Sequence, residues 1–417
     1  FQADEILIAM PSVVGDEMRR IVGACKASGL PYKTLPSLGA LVDGKVTVND
    51  VREVKYEDIL GRPPVQMDYA GIGQYLAGKT VAVTGAGGSI GSELCRQILR
   101  FKPAALVLIE ANEFNLYRIE RELLADSRAS LLRTVMGRVQ DRALVANVFD
   151  KYRPHAVFHA AACKHVPMVE TNPWEGIVNN TLGSLTLMDV AEEFGVERFV
   201  LVSTDKAVRP TNVMGASKRV AEIALQARVP GKTRFMAVRF GNVLGSSGSV
   251  IPLFRKQIQA GGPVTVTHPE MTRYFMMIPE ACQLILQAGA MGDGGEIFIL
   301  EMGTPVKIAD MARDMIRLSG KVPDQDVQIV YTGLRPGEKL YEELITQGEG
   351  IVATAHEKIM VLKRDGHGSD SAERDRTVRS QIDRLAAAAA TFEPERIKAA
   401  LKEIVPEYAP ANRAAPA

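Results

Sequence analysis

VAVTGAGGSIGSEL, residues 81–94, decides the fold. An apolar run ends at Thr84, glycines follow, and a segment with helical spacing opens at Ser89. Gly85, Gly88 and Gly91 recur at three-residue intervals, with Gly87 supplying one more. Glycine suits these places because the turn needs permissive backbone angles, a pyrophosphate must approach the main chain, and the helix must pack close to the strand. The N–H groups at the helix start, around Gly88, Ser89, Ile90 and Gly91, are then aimed at phosphate. A glycine pattern alone is a weak sign; strand, glycines, helix and a later acidic residue together are a much stronger one. That acidic residue is Glu110, which closes the run ALVLIE. A carboxylate there accepts the adenosine ribose hydroxyls and repels a 2′-phosphate, which favours NAD over NADP. Arg118, eight residues further on, keeps NADP open, and a solvated strand-end glutamate is the plainer reading of Glu110.

Outward from this stretch, four apolar runs alternate with helical segments: KTVAVTGAGG, ALVLIEA, AVFHAAA and RFVLVST. Their helices are expected to start near Ser89, Glu113, Asp141 and Asn180. Strands apolar enough to be buried on both faces, alternating with helices, imply an α/β fold with a Rossmann-type doubly wound parallel sheet. Residues 79–250 are assigned to this dinucleotide-binding domain, with later strands near 276–300. A smaller substrate lobe is expected over 251–365, interleaved with the last strands. Upstream, 1–60 form an α/β fragment: a strand in EILIAMPS, a helix with Met18, Ile21, Val22 and Cys25 at helical spacing, and a second strand in LPYKTLPSL. Residues 61–78 form a linker with Gly and Pro punctuation, and 366–417 a helical tail ending in a frayed APANRAAPA.

Composition narrows the function. Fifty Lys+Arg face 49 Asp+Glu over 417 residues, so no polybasic surface for nucleic acid or membrane is indicated. Cys25, Cys95, Cys163 and Cys282 show no CxxC spacing, which points to a reducing compartment and away from a disulfide framework or structural zinc. The six histidines are scattered, so no metal set emerges. No run approaches the roughly 20 apolar residues of a membrane helix. The chain opens at Phe1 rather than Met, which fits a fragment lacking an upstream portion.

The chemistry concentrates in VSTDKAVRPTNVMGASK, residues 202–218. With TGAGGSIGSEL, AACKHVPMVE, VRFGNVLGSSGSV, HPEMTRYFM and LRPGEKLYEEL, it resembles the extended short-chain dehydrogenase/reductase superfamily from Lys79 to about Leu362. More narrowly, it resembles the large, membrane-associated UDP-N-acetylglucosamine 4,6-dehydratases of bacterial polysaccharide synthesis. That resemblance implies bound NAD, UDP-N-acetylglucosamine as substrate, a homo-oligomer, and a cytoplasmic catalytic domain. Attachment to the inner membrane would run through the missing N-terminal region. It further implies that Asp205 protonates the leaving 6-hydroxyl, Lys206 takes the C5 proton, and Thr204 bonds the 4-hydroxyl. Lys218 would hold the nicotinamide ribose. A lysine acting as base must be neutral, so burial or nearby cations must depress its ordinary value of about 10.4. Asp205 and Lys206 as a solvated ion pair, and Lys218 as a surface residue, are the plain alternatives.

Superfamily members place Tyr where this chain has Met214, and a thioether cannot take a proton. Either the chain binds without catalysis or a neighbouring group moves the 4-hydroxyl proton; Asp205 and a water relay are the candidates. Ala160 and Ala161 are small enough for a cofactor to pass over the strand end. Lys164 and His165 would project toward the sugar or its phosphates, and Asp141 either contacts adenine or caps a helix. By resemblance Asn242 meets the sugar or diphosphate, and Arg273 and Arg335 are the cations for the UDP phosphates. An epimerase of the same superfamily would share fold and cofactor without needing the acid–base pair. A C5-inverting dehydratase tends to be shorter and to keep the tyrosine.

Overall fold

A computed structural model describes residues 3–10, 12–13, 15–35, 54, 56–60, 62, 65–125, 129–345, 350–362 and 371–410. The chain divides into two compact units. The larger holds Met67–Gly241, Ala281–Met302 and Leu334–Ala417; the smaller holds Phe1–Gln66, Asn242–Glu280 and Gly303–Gly333.

The larger unit is built on a nine-stranded sheet. Its strands are β1 (Thr80–Thr84), β2 (Ala105–Glu110), β3 (Leu132–Met136), β4 (Ala156–His159), β5 (Arg198–Val202), β6 (Arg234–Arg239), β7 (Glu296–Leu300), β8 (Ile351–Ala353) and β9 (Ile359–Leu362). The spatial order is β8-β9-β7-β6-β5-β4-β1-β2-β3. β1 to β7 run parallel, whereas β9 pairs antiparallel with β7 and β8 antiparallel with β9. Helices cover both faces, so the central strands carry unbroken apolar runs instead of alternation; Val81, Ala82, Val83, Leu106, Val107 and Leu108 are fully buried.

The helices that matter for the site are α1 (Ser89–Arg100), α2 (Glu113–Leu124), α3 (Arg142–Tyr152), α4 (Gly183–Glu193), α5 (Val213–Ala227), α6 (Ser371–Ala389) and α7 (Pro394–Ile404). In α1, Leu94, Cys95, Ile98 and Leu99 recur at helical spacing and bury completely against the sheet. Each such apolar side chain contributes about 1.5–3 kcal/mol. Asn112 and Asp141 cap α2 and α3 by accepting the N–H groups of Asn115 and Leu144. The expected helix start at Asn180 is corrected. Helical backbone already begins at Pro173, and Asn180 lies inside a π-helical turn, Ile177–Leu182, that leads into α4. The Ala-rich tail is helical as α6, and α6 and α7 pack on α5. Ile382, Leu385, Ile397, Leu401 and Tyr408 share a core with Val213, Val220 and Leu225.

Strand order reverses between β1 and β4, where Thr84 pairs with His159. Connections leave these two strands to opposite sides, opening a crevice at their carboxyl ends where open α/β sheets bind ligands.

In the smaller unit Ile6–Ile8 pairs parallel with Tyr32–Thr34, flanking the helix Gly15–Ala27. Met18, Val22 and Cys25 of that helix bury with Ile8, Val54 and Ile59. Three short pairings follow: Val264–Val266 with Ile329–Tyr331, Thr272–Arg273 with Val306–Lys307, and Phe275–Met276 with Asn242–Val243. Arg62 and Glu280 form a buried two-pronged ion pair at 2.7 and 2.9 Å. Residues 36–38 of the second expected strand, Gly61, Pro63 and Pro64 of the linker, and 411–417 of the terminus lie outside the described residues.

Candidate active site

The glycine turn shows why each glycine is there. A Cβ on Gly85, whose φ is +64°, would sit 2.7 Å from the Ala161 main chain, and one on Gly91 only 2.0 Å from the Gly85 carbonyl oxygen. The β1 turn therefore lies directly on the backbone after β4, and α1 starts against the turn itself. Gly88 caps α1 without a side-chain partner. The Glu110 carboxylate accepts the Gly87 N–H at 3.0 Å and the Asn112 N–H at 2.9 Å, and Arg118 donates to the Gly87 carbonyl at 3.2 Å. Glu110 and Arg118 thus fasten the loop from opposite sides. This is a cradle lined by main chain, closed at its far side by an acid, and it fits a dinucleotide.

Across the switch point, Thr204, Asp205 and Lys206 leave β5 in a 3-10 turn, Asp205–Ala207. Asp205 is fully buried. Its Oδ1 accepts from the Thr204 hydroxyl at 2.9 Å and the Lys206 ammonium at 3.0 Å, while its buried Oδ2 has no hydrogen-bond partner among the described residues. A bare buried carboxylate oxygen is costly and leaves an acceptor in want of a donor. The turn is seated by its N–H on the Phe240 carbonyl and by α5, where a Cβ on Gly215 would come within 2.0 Å of the Lys206 carbonyl oxygen.

Helix α5 brings Met214 and Lys218 onto one face, one turn apart. Met214 is buried in the main core and carries no proton-transfer group. Lys218 is buried, its Nζ makes no hydrogen bond among the described residues, and burial pulls it down to about 8, with Glu222 opposing. An ammonium so placed awaits an acceptor. Behind it Glu222 accepts from Ser203, Arg239 and Arg219, at 2.6 Å from the first and 2.7 and 2.8 Å from the second. Glu222 and Arg239 are both wholly buried, and such a pair, once formed, is expensive to break.

Sequence reasoning missed a buried polar chain that ties these parts together. Thr84 bonds His159 at 2.7 Å, His159 bonds Ser184 at 2.9 Å, and Ser184 donates to the Asn180 carbonyl. The Asn180 side chain then clasps both the N–H and the C=O of Cys163 and donates to Ser217 on α5. Burial and the Lys218 charge hold His159 well below its ordinary value, so it serves as a neutral linker. A π-turn at a functional site is a recurrent device; its signal here was the Asn179-Asn180 pair inside an apolar helix.

Lys164 and His165 are exposed beyond that clasp. Burial of its stem and repulsion by Lys206 lower Lys164, and burial and Lys164 lower His165. Asp141 caps α3. Arg335 is exposed in a turn whose Gly337 carbonyl accepts from Thr211 and Asn212 ahead of α5. Asn242 and Arg273 belong to the smaller unit, where the Asn242 N–H bonds Tyr274 and buried Arg273 donates to the Thr272 carbonyl. Among the described residues no set of His, Cys, Asp and Glu is placed to hold a metal, and no helix is long and apolar enough to cross a membrane.

A Rossmann sheet with a glycine cradle at its switch point and a Thr-Asp-Lys turn beside it defines the extended short-chain dehydrogenase/reductase type of fold. The chain belongs to the family described as "Polysaccharide biosynthesis protein", whose model matches residues 81–364. It is 49% identical to the capsular polysaccharide biosynthesis protein CapD of Staphylococcus aureus over 88% of its own length and 61% of the relative's. The chain thus spans about three-fifths of that relative. A UDP-N-acetylglucosamine 4,6-dehydratase (inverting) of Campylobacter jejuni is 32% identical over 65% of this chain and 78% of the relative. A UDP-glucose 4-epimerase of Rickettsia conorii is 33% identical over 65% and 79%. Among solved structures, Pen from Bacillus thuringiensis superposes with a TM-score of 0.65 at 28% identity, covering 73% of this chain and 98% of that one. A dTDP-glucose 4,6-dehydratase of Streptomyces venezuelae, solved with NAD, gives 0.58 at 23% identity over 72% and 95%.

Proposed function

We propose that this chain is the catalytic part of an NAD-dependent nucleotide-sugar 4,6-dehydratase of bacterial polysaccharide synthesis. Its substrate would be UDP-N-acetylglucosamine and its product the UDP-2-acetamido-2,6-dideoxy-4-keto-hexose with C5 retained. The observation that carries this reading is Asp205, buried beside Lys206 with one oxygen saturated and the other bare. An acid and a base side by side are what a water elimination needs.

NAD would lie along Gly85–Gly91, with Glu110 at its adenosine ribose and Lys218 at its nicotinamide ribose, and when bound it takes up the C4 hydride and returns it at C6. The bare Oδ2 of Asp205 accepts the 4-hydroxyl proton, which answers the absence of a tyrosine at Met214. The same oxygen then delivers that proton to the departing 6-hydroxyl, so Asp205 ends each turnover as it began. Thr204 holds Asp205 through Oδ1 and leaves Oδ2 to the sugar. Lys206 removes the C5 proton, acidified by the ketone at C4, and gives it back to the same face. Net change is the loss of one water.

An epimerase needs no acid at the 6-hydroxyl, and a binding protein needs neither group. Incubating purified protein with UDP-N-acetylglucosamine and reading product mass decides among them. Loss of one water without net consumption of NAD is expected. An isomer of unchanged mass would indicate epimerisation, and an untouched substrate a binding role. The C5 configuration of the product, read by NMR, separates retention from inversion.

A further inference from the structure

Lys206 does not face Asp205 alone. The segment after Gly337 returns to the catalytic turn and brings Glu342 Oε1 to 3.7 Å from the Lys206 ammonium. The Glu342 side chain is only 3% exposed, and the residue lies 136 positions along the chain from its partner. Its approach is built in. Gly337, at φ +80°, packs where a Cβ would meet the Asn212 Cβ at 2.8 Å, and its carbonyl accepts the Asn212 amide. Lys339 then donates to the Val208 carbonyl just beyond the turn. Arg209, with φ at +39°, is paired with Glu343. The segment is pinned on both sides of the carboxylate.

The charged groups around Lys206 are Asp205 in its own turn, Lys164 after β4, and Lys339 and Glu342 from this segment. Counting Lys206 itself, three cations share two carboxylates there. If Asp205 takes the 4-hydroxyl proton, it becomes neutral while Lys206 still needs a carboxylate to hold it in place. We propose that Glu342 is the positioning residue for Lys206, which orients the amine toward C5 and receives its proton when the lysine must act as base. The proton passes from the Nζ ammonium to a Glu342 oxygen, leaving a neutral amine and a carboxylic acid, and returns at the end of the cycle. This deepens the dehydratase reading and rests on it.

The test is Glu342→Gln in the chain as it stands, with UDP-N-acetylglucosamine in deuterated water. Water loss and deuterium entry at C5 are expected to fall together on the order of 10²-fold, the usual penalty for a mispositioned catalytic group. Reduction of bound NAD on mixing, read by absorbance, is expected to persist, and the alkaline limb of the pH–rate profile to move. Glu342→Asp, which keeps the charge but draws it back, is expected to lie between and serves if the glutamine variant does not fold. An active parent whose E342Q and E342D variants keep the parental C5 exchange rate and pH profile overturns the role of Glu342 alone. A parent that releases no water overturns the dehydratase reading itself.

Discussion

The turns after β1 and β5, on either side of β4, solve their tasks with opposite materials. The turn after β1 is almost all backbone: three glycines, whose missing side chains let Ala160–Ala161, Asn115 and α1 close in. The turn after β5 is almost all side chain, with Thr204, Asp205 and Lys206 held by Phe240, Glu342 and, through Ser203, by Glu222. A cofactor cradle must admit one fixed shape, so it can be written in one contiguous stretch. A proton-handling turn must hold unlike charges in a dry place, and the groups that do so come from all over the chain.

That contrast can be broken at either turn. The largest effect is expected from Gly91→Ala, whose methyl would lie 2.0 Å from the Gly85 carbonyl oxygen, backbone that cannot step aside. NAD affinity, read by titration calorimetry, is expected to disappear, with a lowered melting temperature. Asp205→Asn should leave NAD binding intact yet cut dehydration by about 10²–10⁴-fold, the usual worth of a general acid–base group. Loss of binding in D205N, or turnover in G91A, would mean that the two turns do not divide the work as drawn.

A third effect is smaller and turns on pH. Burial holds Lys218 near 8, below its ordinary range, so its ammonium is present below that pH and lost as pH rises through it. In the free enzyme, NAD affinity should therefore weaken from about pH 7.5 to 9, and Lys218→Met should flatten that limb. An unchanged limb in K218M would assign it to another group. Smallest is Glu110→Ala, which releases the Gly87 N–H. About tenfold weaker NAD binding, and a narrowed preference over NADP, fit the loss of a charged hydrogen bond worth about 1.5 kcal/mol.

The same contrast explains what could be read in the sequence. The β1 turn, Glu110, the strand–helix alternation and the Thr204–Lys206 run lie within short windows, where spacing and residue type carry the meaning. Asn180 looked like a helix start because a π-turn keeps helical composition while shifting one residue out of register. Glu222 looked like any helix glutamate; only the fold sets Arg239 and Ser203 against it. Glu342 was hidden for the same reason, since a contact between residues 136 positions apart leaves no local pattern. Of the two arginines expected at the phosphates, Arg335 sits exposed on its turn and Arg273 is buried in the smaller unit.

One buried carboxylate and one lysine are expected to eliminate water while the sugar's own C4 hydrogen is kept. UDP-N-acetylglucosamine carrying deuterium at C4, turned over in ordinary water and analysed by NMR, tests it most directly. The expected product has lost one water and carries the deuterium at C6. A product that keeps its 6-hydroxyl, or one whose label has been washed into solvent, would contradict the account.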